Sequence, residues 1–571
     1  LFFLDLGGLG LTDRDEGSNA EAAREMLETG DWISPTLNYE PRFAKPVFVY
    51  WLMSGAYRLL GISEFAARFP SALFGLALIL LQYAFLTRVR GPVVGLLGGL
   101  MLVLSIEIVA IGRLALTDSV LIFFTTVSLL GFWLGLHAST TLGTSGSTVR
   151  QSSPQASLAT GGSATLATGG STVRQASPQA VRRFDEAHRR PDSPQAGLTT
   201  DGENRTRHFF WLFYVGMAIG TLTKGPVGLI VPLIAVVPYL TLTRRWGQFW
   251  RTGFPLAGSA FFLILALPWY AAMLAIHGSR YTASAQADTV GRFLNVIGGH
   301  GGTIFFYIPI LLFGFFPWSA FLPAAIYQAF KNVRRSTFDV ETSNREPRTS
   351  NLELELFAAL WVAGVFLFFS LSATRLPHYI GPLYPAAAIL AASYWNRCLT
   401  DPATPGIRAS FRTLMGLGYL LGIGLASSSF LYSTFVDTIA KEFPFAPHVT
   451  PGQGPFTAGL ILLIGVGLVG YLGLSGPRRA GAFWAAGATI GLVMLVAIQV
   501  TLPRFSRYFL APPQELAFVA GANLGPQDRL ILYGPPKPSL IFYARRKVIV
   551  IRPGQEEAMR PYLTRPGQPG R

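Results

Sequence analysis

Cysteine is almost missing from this chain: Cys398 is the only one in 571 residues. That excludes a disulfide framework and any CxxC or Cys-rich metal site, so redox chemistry is not expected. Charge is scarce too. Only 13% of the residues are Asp, Glu, Lys or Arg, too few to solvate the surface of a soluble multidomain protein of this length. Half of the residues are hydrophobic and the mean hydropathy is +0.40, which points to a polytopic membrane protein with no nucleic-acid partner. The first residue is Leu1 rather than Met, and "LFFLDLGGLGL" is too short to span a bilayer and has no basic flank. It reads as the tail of a first transmembrane helix, with a cleaved signal peptide upstream as the weaker alternative.

Apolar runs of roughly 17 to 25 residues mark the spans. They fall at 1–11 (a fragment), 66–86, 92–110, 118–137, 208–223, 227–242, 253–274, 304–329, 353–372, 379–395, 411–432, 456–474 and 482–502, about thirteen in all. Lys and Arg collect in "TRVRG", "TRRWGQFWR", "KNVRRSTFDVETSNREPR", "NRCLTDPATPGIRASFR" and "GPRR". With thirteen spans these loops share one side with the 138–207 insert, and the positive-inside rule makes that side cytoplasmic. The segment behind the first apolar run, the turns near 111–117, 224–226, 275–303 and 373–378, and the tail then lie outside.

The chain divides at the insert. Residues 1–137 hold the first outer loop and early spans, and 208–502 hold the remaining spans. Between them, 138–207 repeats "STVRQSSPQA" as "STVRQASPQA" and carries "LATGG" twice. Ser, Thr, Gly, Gln and Pro dominate it, so it is expected to be disordered. Beyond 503, "DRLILYG" and "KVIVI" read as strands flanking a helical "PSLIFYA", a small α/β appendage.

The scarce carboxylates are concentrated in "TDRDEGSNAEAAREMLETGDW" (12–32). Ser18 with Glu21 forms a capping box and Gly30 stands at a C-cap position, which predicts a helix over 19–29. Ala20, Ala23 and Leu27 would pack, leaving Glu21, Arg24, Glu25 and Glu28 as a solvated face. Asp15 and Glu16 precede the predicted cap, uncommitted to intrahelical pairs and kept ionised by the helix dipole. "KPVFVYWLMSGAYRLLG" (45–61) is an aromatic-rich amphipathic stretch suited to the membrane interface. Asp118 stands at the outer end of a span, where an N-cap with Thr117 is the plainer role, and Lys224 at an outer turn, where snorkelling is. Arg280, Arg292, His300, Arg375 and His378 also lie on outer segments. Cations on this side run against the topology rule, and a phosphate at the membrane surface would account for them. Carboxylates facing such cations suit a transfer in which an acid removes an acceptor proton while Lys or Arg stabilises a departing phosphate.

The residues carry a resemblance. "RDEGSNAEAAREMLETGDWISPTLNYEPRFAKPVFVYWLMSGAYRLLGISEFAARFPSAL", "RLALTDSVLIFF", "GTLTKGPVGLIVPL", "GRFLNVIGGHGGTIFFYIPILLFGFFPWSAFLP" and "RLPHYIGPLYPAAAIL" resemble, in order, the protein O-mannosyltransferase-like superfamily. Within it the branch of bacterial aminoarabinose lipid A transferases is the most similar. The resemblance implies an all-α polytopic GT-C glycosyltransferase of the bacterial cytoplasmic membrane, its active site facing outward. Such an enzyme moves a sugar from a polyprenyl-phosphate donor to a lipid, glycan or protein acceptor, with inversion. It places the essential acid on Asp15, with Glu16 beside it, and a second acid on Asp118. It assigns Lys45, Lys224 and Arg375 to the lipid phosphate, where Arg292 and His378 join them.

Two departures bear on specificity. The aminoarabinose branch follows Asp-Glu with x-Arg-Tyr, and here Gly17, Ser18 and Asn19 stand there. It also carries Glu before the KP lysine at a position implicated in metal coordination, and here that residue is Ala44. The resemblance therefore carries over neither lipid A specificity nor the metal site, and a divalent cation stays an open question. A transporter would need ionisable or broken helices at mid-membrane and an internal repeat of helices, and neither is evident. A non-catalytic flippase or sensor would keep the fold with Asp15 dispensable.

Overall fold

In lipid a backbone must satisfy its own polar groups, and every apolar run but the first does so as helix in the computed structural model. Residues 1–141, 195–296, 299, 301–338, 346–441, 446–450 and 452–563 are described. His300 and residues 142–194 of the repeat-bearing insert lie outside them. Among the described residues, seven helices are long and apolar enough to cross a membrane: Glu64–Arg90, Asp118–His137, Pro255–His277, Asn351–Leu371, Ile407–Ala426, Gly454–Leu474 and Arg479–Asn523. Three bent pairs, Pro92–Val103 with Ile106–Gly112, Val227–Leu242 with Trp246–Thr252, and Tyr307–Gly314 with Trp318–Lys331, raise the number to ten if each is one span. Two further expected spans coincide with the helices Gln195–Lys224 and Tyr384–Thr400. Leu256, Ile264 and Ile464 are each more than 70% exposed on these helices, a surface that lipid rather than water would cover.

The fragment at 1–11 is not a helix. Two arginines satisfy its backbone instead. Arg113 donates to the carbonyls of Leu1, Phe2, Leu4 and Asp5, and Arg68 to those of Leu6, Leu9 and Gly10. No local hydrophobic period could have announced this, because the donors come from sequence positions far away.

Three helices follow: α1 (Asp15–Thr29), α2 (Phe48–Leu60) and α3 (Glu64–Arg90). The expected start of α1 is displaced. Asp15 and Glu16 form its first turn, so Ser18 is not the cap; Gly30, in the left-handed region, closes it as predicted. Its acidic face is not solvated either. Glu21, Arg24 and Glu25 are buried, and Arg24 grips Glu21 with two bonds of 2.7 and 2.8 Å and Glu28 with one of 2.6 Å. Burial pushes Glu21 up to about 7 despite that arginine. The amphipathic reading of α2 holds: Val49, Tyr50, Met53 and Tyr57 are buried, while Trp51, Leu59 and Leu60 are exposed.

What covers α1 is the C-terminal region. Strands Leu530–Tyr533 and Val548–Ile551 pair in parallel, connected through the helix Pro538–Ala544. The expected boundary at 503 falls inside the helix Arg479–Asn523, which continues through it. This α/β unit seats on the first loop. Ser539 bonds Asp13, Tyr543 donates to Glu64 at 2.8 Å and accepts from the Leu11 amide at 3.0 Å. A Cβ built on Gly17 would lie 2.6 Å from the Ser539 nitrogen, so only glycine lets the two backbones approach this closely.

Candidate active site

The acid-bearing turns meet at one end of the bundle. Asp118 begins the helix Asp118–Thr141, and the preceding turn is pinned on both sides. Asn19 of α1 donates to the Ala115 carbonyl at 3.1 Å, Ser71 of α3 to the Leu116 carbonyl at 3.1 Å. The Asp118 carboxylate is buried and takes Lys224 Nζ at 2.5 Å, with His378 Nε2 at 3.9 Å. Lys224 is aimed by its turn: Gly225 adopts a left-handed φ of +71°, and the Cβ-less Gly228 packs on the backbone of Gly220. The ammonium also stands 4.7 Å from the Tyr379 ring centroid, a cation–π contact.

Asp15 is half-buried near these groups. Among the described residues no hydrogen bond or ion pair commits its carboxylate. Burial alone would raise its pKa, but Lys45, His378, Arg42 and Lys224 together hold it below the usual carboxylate range. Lys45 responds in the opposite direction: burial, then the Lys224 charge, lowers it to about 8 against the pull of Asp15 and Asp118. Burial also pushes His378 below the ordinary imidazole range, more than Asp118 restores.

Glu16 differs from its neighbour. It is buried, pairs with Arg68 at 2.7 Å, and accepts from the Thr12 amide and hydroxyl at 2.8 Å and the Ala115 amide at 2.9 Å. With both oxygens so occupied it ties α1 to α3 and to the turn before Asp118, and offers nothing to a substrate.

Beside the acids opens a cavity of about 440 Å³. Lys45, Lys224 and Arg292 reach its wall together with Asp288 and Tyr379. Much of the rest is apolar: Phe43, Trp269, Tyr270, Ile230, Phe293 and Phe368 among others. Arg292 is steadied by Asp288 at 2.9 Å, one helical turn before it. Of the expected phosphate ligands, Lys45, Lys224 and Arg292 thus converge on one space, and His378 stands behind Lys224 at Asp118. Arg375 does not line the cavity. Its Nη1 and Nη2 donate to the carbonyls of Gly302 and Ser370, and its buried Nε has no partner among the described residues. Arg280 is exposed and also absent from the wall.

Sequence reasoning missed Asp288, Tyr379, Trp269 and Arg42. The i,i+4 spacing of Asp288 and Arg292 was a usable signal, and Tyr379 follows His378 in the quoted "RLPHY". Trp269 gave none. Arg42, three residues before Lys45, donates to the Ser18 carbonyl (3.4 Å), Asn19 Oδ1 (3.3 Å) and Tyr50 Oη (3.0 Å). Ser18 and Asn19 are the positions where the resembled branch carries Arg-Tyr, and here an arginine and a tyrosine gather there from elsewhere in the chain.

The dolichyl-phosphate-mannose-protein mannosyltransferase family matches residues 17–149. An undecaprenyl phosphate-α-4-amino-4-deoxy-L-arabinose arabinosyl transferase of Enterobacter sp. (strain 638) is 26% identical over 498 residues, covering 87% of this chain and 73% of the relative. Its counterpart in Pseudomonas aeruginosa (strain UCBPP-PA14) is 24% identical, covering 88% and 74%. In fold, the chain superposes on ArnT from Cupriavidus metallidurans bound to undecaprenyl phosphate with a TM-score of 0.69 at 22% identity, over 98% of this chain and 86% of ArnT. The chain thus shares the fold of ArnT over nearly its whole length, and its first outer loop and early spans match the mannosyltransferase family. These relatives are named as sugar transferases, and the transporter alternative finds no support among them.

Among the described residues the side chains form no metal-binding cluster. Ala44 supplies no ligand before Lys45, and among the described residues no three His, Cys, Asp or Glu side chains gather to hold an ion.

Proposed function

We propose that this protein transfers a sugar from a polyprenyl-phosphate-linked donor to a lipid, glycan or protein acceptor on the outer face of a bacterial cytoplasmic membrane. The observation that carries the reading is the cavity itself. Three cations gather on a wall that is otherwise largely aromatic and aliphatic, which fits a phosphate continued by a hydrocarbon chain. Next to it stands Asp15, ionised and uncommitted, where a base is needed.

In the reaction the Asp15 carboxylate takes the proton of the acceptor hydroxyl as its oxygen bonds to the anomeric carbon. The bond from that carbon to the phosphate oxygen breaks, and polyprenyl phosphate leaves with its electron pair. The phosphate passes from one negative charge in the diester to two in the departing monoester. Lys45, Lys224 and Arg292 therefore stabilise the transition state more than the bound donor, which is the condition for acceleration. Attack opposite the leaving group inverts the sugar. Asp118 acts through Lys224, holding its ammonium toward the cavity.

The test is release of polyprenyl phosphate and appearance of glycosylated acceptor by the purified protein in lipid nanodiscs. The donor panel would start with undecaprenyl phosphate-α-4-amino-4-deoxy-L-arabinose, because the relatives are named for it. Solute uptake into proteoliposomes without donor, and no transfer from any polyprenyl-phosphate sugar, would overturn the reading.

A further inference from the structure

Arg42 serves neither the donor cavity nor a carboxylate pair, yet it stands where three segments of the site meet. It lies three residues ahead of Lys45 in the segment that leaves the hairpin Thr36–Leu37 and Glu40–Pro41. One nitrogen, Nη1, reaches the Ser18 carbonyl, Asn19 Oδ1 and Tyr50 Oη. Ser18 and Asn19 lie in the first turns of α1, directly after Asp15. Tyr50 is fully buried in α2, with its ring 5.9 Å from the guanidinium carbon. Asn19 in turn holds the turn before Asp118 through the Ala115 carbonyl. One guanidinium thus binds the chain carrying Lys45 to the helix carrying Asp15, and through Asn19 to the approach to Asp118.

We propose that Arg42 is a positioning residue for the transfer reaction: by bracketing Ser18, Asn19 and Tyr50 it sets the distance between the base, Asp15, and the phosphate-binding Lys45. The inference rests on the role given to Asp15 above. A rigid mount is needed there because a displacement of about 1 Å between base and reacting centre costs roughly 100-fold in rate. The hairpin segment has few other ties to α1 near Lys45, and the Glu25 bonds to Thr36 and Tyr39 hold its far end. Arg42 contributes a second effect as a charge. It is one of the four groups, with Lys45, His378 and Lys224, that favour the Asp15 carboxylate.

The test compares Arg42→Gln, Arg42→Lys and Tyr50→Phe in the full chain in nanodiscs, with Asp15→Asn as reference. Turnover of undecaprenyl phosphate-α-4-amino-4-deoxy-L-arabinose is followed against pH. In parallel, labelling of Asp15 by a water-soluble carbodiimide, which reacts with the protonated carboxyl, is followed by mass spectrometry without any substrate. Arg42→Gln is expected to lower kcat by about 10- to 100-fold with less than about threefold change in donor KM, and to shift Asp15 labelling to higher pH. Arg42→Lys keeps the charge and returns the labelling curve toward wild type while kcat stays low, since a lysine cannot reproduce the fork. Tyr50→Phe leaves the labelling curve in place. Wild-type kcat and labelling in Arg42→Gln would overturn the proposal. So would equal losses in both Arg42 variants with an unmoved labelling curve, which would mean a merely structural residue. Failure of the parent reading is separate: it would show as turnover in Asp15→Asn.

Discussion

Replacing Lys45 by arginine separates the charge at that position from its titration. Burial and the neighbouring Lys224 lower the ammonium to about 8, so it is about nine-tenths protonated at pH 7 and about one-tenth at pH 9. A raised pH removes the proton, and with it the cation that receives the leaving phosphate. The wild-type kcat/KM for donor should accordingly fall about tenfold between pH 7 and 9, because this ratio reports groups of the free enzyme. The basic limb of kcat should lie higher, since bound phosphate favours the charged ammonium. Arg stays protonated throughout, so Lys45→Arg should lose the limb while starting from a lower rate, its planar fork being a poor match for a point charge. The assay is polyprenyl phosphate release under initial-rate conditions across pH 6 to 10. A limb near 8 that persists in Lys45→Arg, or its absence in the wild type, would refute the reasoning.

Glu16→Gln leaves Arg68 buried without its anion and should destabilise the protein by about 3–5 kcal/mol; thermal unfolding in detergent should show a lowered Tm, and an unchanged one would contradict a structural role. Gly17→Val places a Cβ against the Ser539 backbone and should cost about 1–3 kcal/mol by overpacking; faster proteolysis within 524–563 is the expected sign. Arg292→Ala should weaken binding of undecaprenyl phosphate by one charge-assisted hydrogen bond, about 1.5–3 kcal/mol. Arg375→Ala should lower Tm and leave that affinity within about threefold of wild type, as its Nη1 and Nη2 donate to carbonyls and it does not line the cavity; the reverse ranking, measured by fluorescence titration, would return Arg375 to the phosphate site.

The legible part of this protein was the part written in short-range pattern. Apolar runs gave the helices after residue 64, and "KVIVI" and "PSLIFYA" gave the C-terminal strand and helix. Lys224 and Arg292 were reachable because a cation on the wrong side of a membrane protein demands a ligand; Asp118 stood out as an acid at the outer end of a span, and Lys45 came from the family resemblance alone. Where the reading went astray, distant residues decided the outcome. Glu21 and Glu25 look like a solvated face, yet Arg24 pairs with Glu21 and the hairpin residues Thr36 and Tyr39 donate to Glu25. Leu1 to Gly10 looked like a helix because nothing nearby announced that Arg68 and Arg113 would take its carbonyls. Only the family resemblance sets Asp15 apart from Glu16 in the sequence, and the fold then commits Glu16 to Arg68 while Asp15 has no hydrogen bond or ion pair among the described residues. Arg375 shares a turn with His378, but it is held by the Gly302 and Ser370 carbonyls and does not line the cavity.

The central claim is that Asp15 is the general base, and the most direct measurement is donor turnover by Asp15→Asn at pH 7 beside its binding of undecaprenyl phosphate and its Tm. The account predicts a rate lowered by about 10²–10⁴-fold, with undecaprenyl phosphate still bound and a Tm lowered only modestly, since the carboxylate interacts with nearby cations but makes no hydrogen bond or ion pair among the described residues. Turnover at the wild-type rate would contradict it.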